Sequence, residues 1–161
     1  METIPANKAQ FFKQLDIIFF GLISGQLMFF LVVFYMQFQG ILTFTLDPAV
    51  KAMFSFAVVA VIGFIPLGYF LYGAKCKQSL NLNTLDEKLI LYRTATMLRL
   101  MLFESGGFIS LIAYFLTGSN QYVVLLGIVL IAFFINKPSK HRAISDLQLN
   151  EQESNIVLNE M

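Results

Sequence analysis

The sequence has no tryptophan, one cysteine, one histidine and four prolines in 161 residues, and only 13% of its side chains are charged. Each shortage excludes a class of chemistry. With Cys76 alone there is no intrachain disulfide and no dithiol redox pair. With His141 alone there is no bis-histidine haem site. Lying between Lys140 and Arg142, His141 reads as a solvated or headgroup-facing side chain rather than a metal ligand. No Ser/His/Asp set, phosphate loop or HExxH is present. Asp16, Asp47 and Asp86 fall at helix edges or in loops, so paired intramembrane carboxylates are missing too. The reading is therefore non-enzymatic, with no cofactor and no metal. A net charge of +1 gives no electrostatic footprint for nucleic acid.

What is abundant is hydrocarbon. Hydrophobic residues make up 57% of the chain, 18 of them phenylalanine, and the mean hydropathy is +0.71. A soluble domain carries about 25% charged residues, and here the few charges are segregated into loops and ends. That is the composition of a multi-pass membrane protein. The first apolar run is not expected to be a cleaved signal. It begins after Asp16, is too long, and has no small-x-small cleavage site.

Four apolar segments are expected to span the bilayer, at residues 17–36, 52–73, 97–117 and 122–135. The fourth is short and needs help from its flanks or from local thinning, the alternative being a buried or re-entrant segment. Asp47-Pro48 reads as an N-cap followed by proline at the first helical position. Thr84 to Glu87, TLDE, is a capping box that starts the third helix near Leu85, ten residues before its apolar part. Run to Thr117, that helix would be about 50 Å long and protrude from the membrane. Gly118-Ser119-Asn120 then predicts a tight antiparallel turn into the fourth helix. The expected fold is all-α, a four-helix transmembrane bundle of two helical hairpins over residues 1–136, followed by a tail over 137–161. The tail predicts either one surface helix from about Ser145, weakly boxed with Gln148, or disorder. Lys and Arg concentrate in the N-terminal segment, the middle loop and the tail, while the other two loops hold only Lys51. Both termini are therefore expected to be cytoplasmic.

One stretch resists this hydrocarbon pattern: RLMLFESGGF, from Arg99 to Phe108. Counting from the cytoplasmic edge puts Glu104 about 10 Å into the apolar zone. The same depth reaches Gln26 on the first helix and Pro66 on the second. Pro66 cannot bond back to Ile62, whose carbonyl is thereby freed. A carboxyl, an amide and that carbonyl are the parts of a small polar or ion-binding layer. Turned to lipid, the carboxylate would cost about 3 kcal/mol, so Glu104 is expected to face protein. Gly106 and Gly107, and Gly21 and Gly25 on the first helix, are the expected close-packing notches. Arg99 lies about 140° around the helix from Glu104, so it is read as an interface anchor with Asp16 and Arg93. Tyr69 and Tyr72 are read as packing or interfacial residues.

The acidic residue in FESGGF, and the short last span followed by KPSK and SDLQL, give a layout that resembles a family of small four-span bacterial membrane proteins. Those are described as similar to the proteolipid, or c, subunits of rotary ATPases. The resemblance implies a bacterial inner-membrane location, and it implies that Glu104 corresponds to the ion-binding carboxyl, for protons or a monovalent cation. This chain departs from the glycine-repeat helix of those subunits, and it carries Glu104 on the first helix of its second hairpin. Three functions are thus expected in order: a subunit of a homo-oligomer or of a complex with other membrane proteins, with Glu104 locking a helix interface; a proton- or cation-handling protein titrating at Glu104; and a membrane tether that recruits a partner through its tail.

Overall fold

The structure, a computed structural model, describes residues 10–41 and 48–160. It is all-helical, with no strand among the described residues. The order is α1 (Phe11–Phe38), α2 (Pro48–Gln78), a 3-10 turn (Ser79–Asn81), α3 (Leu85–Thr117), α4 (Asn120–Ile135), α5 (Lys140–Leu147) and α6 (Glu151–Glu160). Three helical stretches, Phe11–Phe38, Ser55–Asn81 and Leu85–Thr117, are long and apolar enough to cross a membrane. At 16 residues α4 reaches that length only when joined to α5 across a 79° bend. The outward surface suits lipid rather than water. Met28 is 68% exposed, Val59 69% and Phe70 70%.

Local chemistry sets the helix ends. Thr84, in extended backbone, accepts from the Glu87 amide at 3.3 Å and donates its hydroxyl to the Glu87 carboxylate at 2.8 Å. Gly118 ends α3 at φ 65°, where its N–H reaches the Tyr114 carbonyl at 2.8 Å. The Asp47 cap predicted for α2 lies outside the described residues. The tail forms two helices, neither starting at Ser145. Ser139 caps α5 by accepting from the Arg142 amide, which leaves Ser145 inside that helix. Gln148, at φ 50°, ends it. Asn150 and Glu153 then cap each other's amides, at 2.8 and 3.1 Å, and so open α6.

The central helix is α3. The chain returns antiparallel against it in α2 and α4, and α2 makes the broadest contact. Among the described residues α1 packs on α3, parallel to it, more broadly than on α2, which departs from the first expected hairpin. Two of its three glutamines explain the choice, because both find acceptors there. Gln26 bonds Glu104, and Gln37 donates to the Gly118 carbonyl at 2.9 Å. One apolar cluster joins Phe19, Leu100, Phe103, Val129 and Phe133. A second joins Phe11, Leu15, Leu89 and Tyr92 to Ala143, Leu147 and Val157 of the tail. That second cluster brings the start of α1, the end of α2, the start of α3 and both tail helices to one end, the base of the molecule. Lys88 of α3 pairs there with Glu153 of α6 at 2.8 Å.

Candidate functional site

Gln26 is fully buried against α3. Its Nε2 donates to Glu104 Oε2 at 3.1 Å and to the Glu104 backbone carbonyl at 3.3 Å, while its Oε1 has no partner. Gly107 is what lets the amide in. A Cβ there would lie 2.6 Å from Gln26 Cδ and closer still to both amide heteroatoms. Glu104 itself is half-buried, at the margin between the face turned to α1 and the outward face carrying Met101, Ser105 and Phe108. Among the described residues no cation pairs with it. An amide donates from nitrogen and accepts at oxygen, so Gln26 can serve Glu104 ionised or protonated by turning over.

Pro66 and Ile62 do not join this layer. They sit one turn apart on the outward face of α2, where Ile62 is 64% exposed. Instead α2 turns Val61, Phe64 and Gly68 inward, so the level is shared but the face is opposite. Gly106 faces Val61, Phe64 and Val129, between α2 and α4. α2 and α3 come close at Gly68, where a Cβ would meet Phe103 Cε1 at 3.0 Å and Arg99 Cγ at 3.4 Å. Gly21 and Gly25, expected as notches, face open space with nothing within 4 Å.

Arg99 is not an interface anchor. It is 2% exposed, with its guanidinium carbon 3.7 Å from the Tyr72 ring centroid and Nη2 donating to the Asn136 carbonyl at 3.4 Å. Tyr72 passes the contact outward, donating its hydroxyl to Asp146 of α5. Asn136, fully enclosed at the end of α4, donates to the Tyr69 hydroxyl and to the Ala132 carbonyl. Asp16 pairs with Lys137 instead, at 3.6 Å and half in solvent. Arg93 is half-buried at the edge of an open groove of about 330 Å³ shared with Met97 and Met101. A polar group at the base was therefore missed. Its signal was the spacing of Tyr92, Thr96 and Arg99, which at i, i+4 and i+7 share one face of α3.

Two buried polar layers thus cross the helices, one around Glu104 and one around Arg99. The first can hold a proton or a partner's donor at its half-open carboxyl, and the second can hold negative charge. Among the described residues no three His, Cys, Asp or Glu side chains come together to hold a metal ion. No protein-family model, curated protein or solved structure matches this chain.

Proposed function

We propose that this is a non-enzymatic multi-pass membrane protein that works as a subunit, packing against copies of itself or against other membrane proteins. On this reading the four helices α1 to α4 form a transmembrane bundle with both ends in the cytoplasm of a bacterial cell, in the inner membrane. The Lys and Arg distribution supports that orientation. So does the meeting of the first helix and the tail at one end of the molecule.

One observation carries the subunit reading. Glu104 is a half-open carboxyl at hydrocarbon depth, held by a single neutral amide and flanked by exposed Met101, Ser105 and Phe108. Left against lipid it would cost about 3 kcal/mol, and a neighbouring subunit with a donor removes that cost. The open face of α1 at Gly21 and Gly25 leaves room for a second helix to come close.

That no cation among the described residues pairs with Glu104 favours a second reading, in which it titrates and handles protons or a monovalent cation, as its resemblance to proteolipid subunits implies. Native mass measurement in detergent, with proteoliposome flux, separates the two. The subunit reading expects a mass above that of one chain, retained by Glu104→Gln and lost by Glu104→Ala. A monomer without partners would sink it. Flux in the parent that disappears in a still-assembled Glu104→Gln variant selects the second reading, and absence of flux in the parent removes it. The tether reading is tested by truncation after Arg142, which must then release any co-purifying partner.

A further inference from the structure

We propose that the base of the molecule binds one small monovalent anion, of chloride size, between Arg99 Nε and the hydroxyls of Thr96 and Tyr92. Three buried groups on one face of α3 lead to it. Among the described residues Arg99 Nε, Thr96 Oγ1 and Tyr92 Oη are each enclosed without a well-formed hydrogen bond, although Thr96 and the Ser139 backbone approach the Tyr92 oxygen. Side chains on a helix lean toward its N-terminus, so Arg99 reaches back over Thr96 and Tyr92.

The hydroxyl of Thr96 departs from the pattern of its neighbours. Ser105, Ser110 and Thr117 each turn their oxygen onto the carbonyl four residues back, at 2.9, 2.9 and 2.7 Å, and Thr94 does so at 3.0 Å. That is the ordinary way for a helical hydroxyl to be satisfied. Thr96 makes no such bond, and its hydroxyl lies beside that of Tyr92 instead.

Charge selects the ligand. Within electrostatic reach of Arg99 stand a second guanidinium, Arg142, and one carboxylate, Asp146. That carboxylate already accepts the Tyr72 hydroxyl. Arg99, 2% exposed, and Arg142, partly open to solvent, face that one carboxylate, so the group as a whole carries net positive charge. Buried charge is strongly disfavoured without compensation. A water molecule would satisfy the three donors but would leave that charge unbalanced, whereas an anion does both. The Ser139 backbone, at the N-cap of α5, also offers a hydrogen bond to the Tyr92 oxygen. A cleft of about 290 Å³ between α2 and α5 is lined by Tyr72, whose ring covers Arg99, with Lys77 and Asp146 beside it. A bulkier phosphate ester is excluded because the Tyr72 ring covers the guanidinium.

The test is thermal unfolding of the detergent-purified protein in sodium chloride and in sodium gluconate at equal ionic strength. Chloride is expected to raise the midpoint saturably. Thr96→Val and Tyr92→Phe, which delete a donor and keep the shape, are each expected to weaken the apparent chloride affinity at least tenfold. Equal midpoints for the parent in the two salts would overturn the proposal and assign the donors to water. Unchanged chloride dependence in both variants would overturn it as well, since the anion would then act elsewhere. Should both variants fail to fold, bromide-soaked crystals of the parent decide. An anomalous peak within hydrogen-bonding reach of Arg99 Nε supports the site, and bromide found only elsewhere refutes it.

Discussion

Gly106 and Gly107 are adjacent in sequence, yet an added methyl group should act oppositely at the two. At Gly106 a Cβ would meet Val129, Val61 and Phe64 at 3.6, 3.7 and 3.9 Å, which is ordinary van der Waals contact. Gly106→Ala should therefore be neutral, or stabilising by up to about 1 kcal/mol through helix propensity. At Gly107 the same atom would fall within 2.6 Å of Gln26 Cδ. The amide is the end of a flexible chain, but it is fully buried and tied to Glu104 by two hydrogen bonds, so it can yield only by losing them. Displacing a buried amide from its partner costs about 1–3 kcal/mol, and overpacking adds a comparable amount. Less the propensity gain, Gly107→Ala should destabilise by about 2 kcal/mol, roughly a 30-fold loss in the folded-to-unfolded ratio. Reversible unfolding in mixed micelles, followed by circular dichroism, reads both variants. A second arm makes the cause specific. In a Gln26→Ala background the obstacle is gone, and Gly107→Ala should then cost less than about 0.5 kcal/mol. If Gly107→Ala proves as harmless as Gly106→Ala in the parent, the Gly107–Gln26 contact does not hold α1 to α3.

Burial alone would push the Glu153 carboxyl up, but hydrogen bonds from Lys88 and the Asn150 backbone, with the Lys88 charge, outweigh it and hold the group below its ordinary value. Its stabilising contribution is therefore complete above the unfolded carboxylate range, about pH 4.3, and is lost as pH falls through the lower folded value. Hydrogen exchange in α6 should accelerate only in acid, and Glu153→Gln should bring fast exchange to neutral pH; pH-independent exchange in the parent would contradict this. Tyr72→Phe keeps the ring under Arg99 but removes the donor to Asp146, so exchange in α5 should rise by about 1 kcal/mol of lost protection while α3 is unchanged. Gly118→Ala forces a side chain into left-handed backbone at φ 65° and should cost about 1–2 kcal/mol, read as a lower unfolding midpoint.

The elements governed by local chemistry were legible in the sequence. Thr84 and Gly118 mark both ends of α3, and hydropathy gives the three long apolar helices. A depth count along the helices was enough to bring Gln26 and Glu104 to one level, because rise per residue is fixed. Helix facing was less readable. Where nearly every residue is apolar, hydrophobic periodicity no longer distinguishes inside from outside, so Pro66 and Ile62 were given the right level and the wrong side. Gly21 and Gly25 face open space rather than another helix of this chain, and Gly68, where α2 and α3 come close, went unnoticed. Arg99 was placed at the headgroups because it lies about 140° around the helix from Glu104 and nearer the cytoplasmic edge. Its burial depends on Tyr72 and Asn136, which arrive from two other helices. The tail helices were obscured because Ser139 and Asn150, their caps, flank a stretch too polar to suggest a core, although Leu147 and Val157 supply one.

The tie between α1 and α3 also sets a timetable for synthesis. Gln26 leaves the ribosome 78 residues before its acceptor Glu104. At 5–20 residues per second that is a delay of roughly 4 to 16 s. On the proposed membrane reading, α1 has by then entered the bilayer with an amide about 10 Å inside it and no lasting mate. The next helix to insert offers no help, since α2 directs Val61, Phe64 and Gly68 inward rather than an acceptor side chain. Until α3 arrives, the first helix must be chaperoned by the insertion machinery or by an older copy of the chain, so its biogenesis is a waiting problem as well as a packing one.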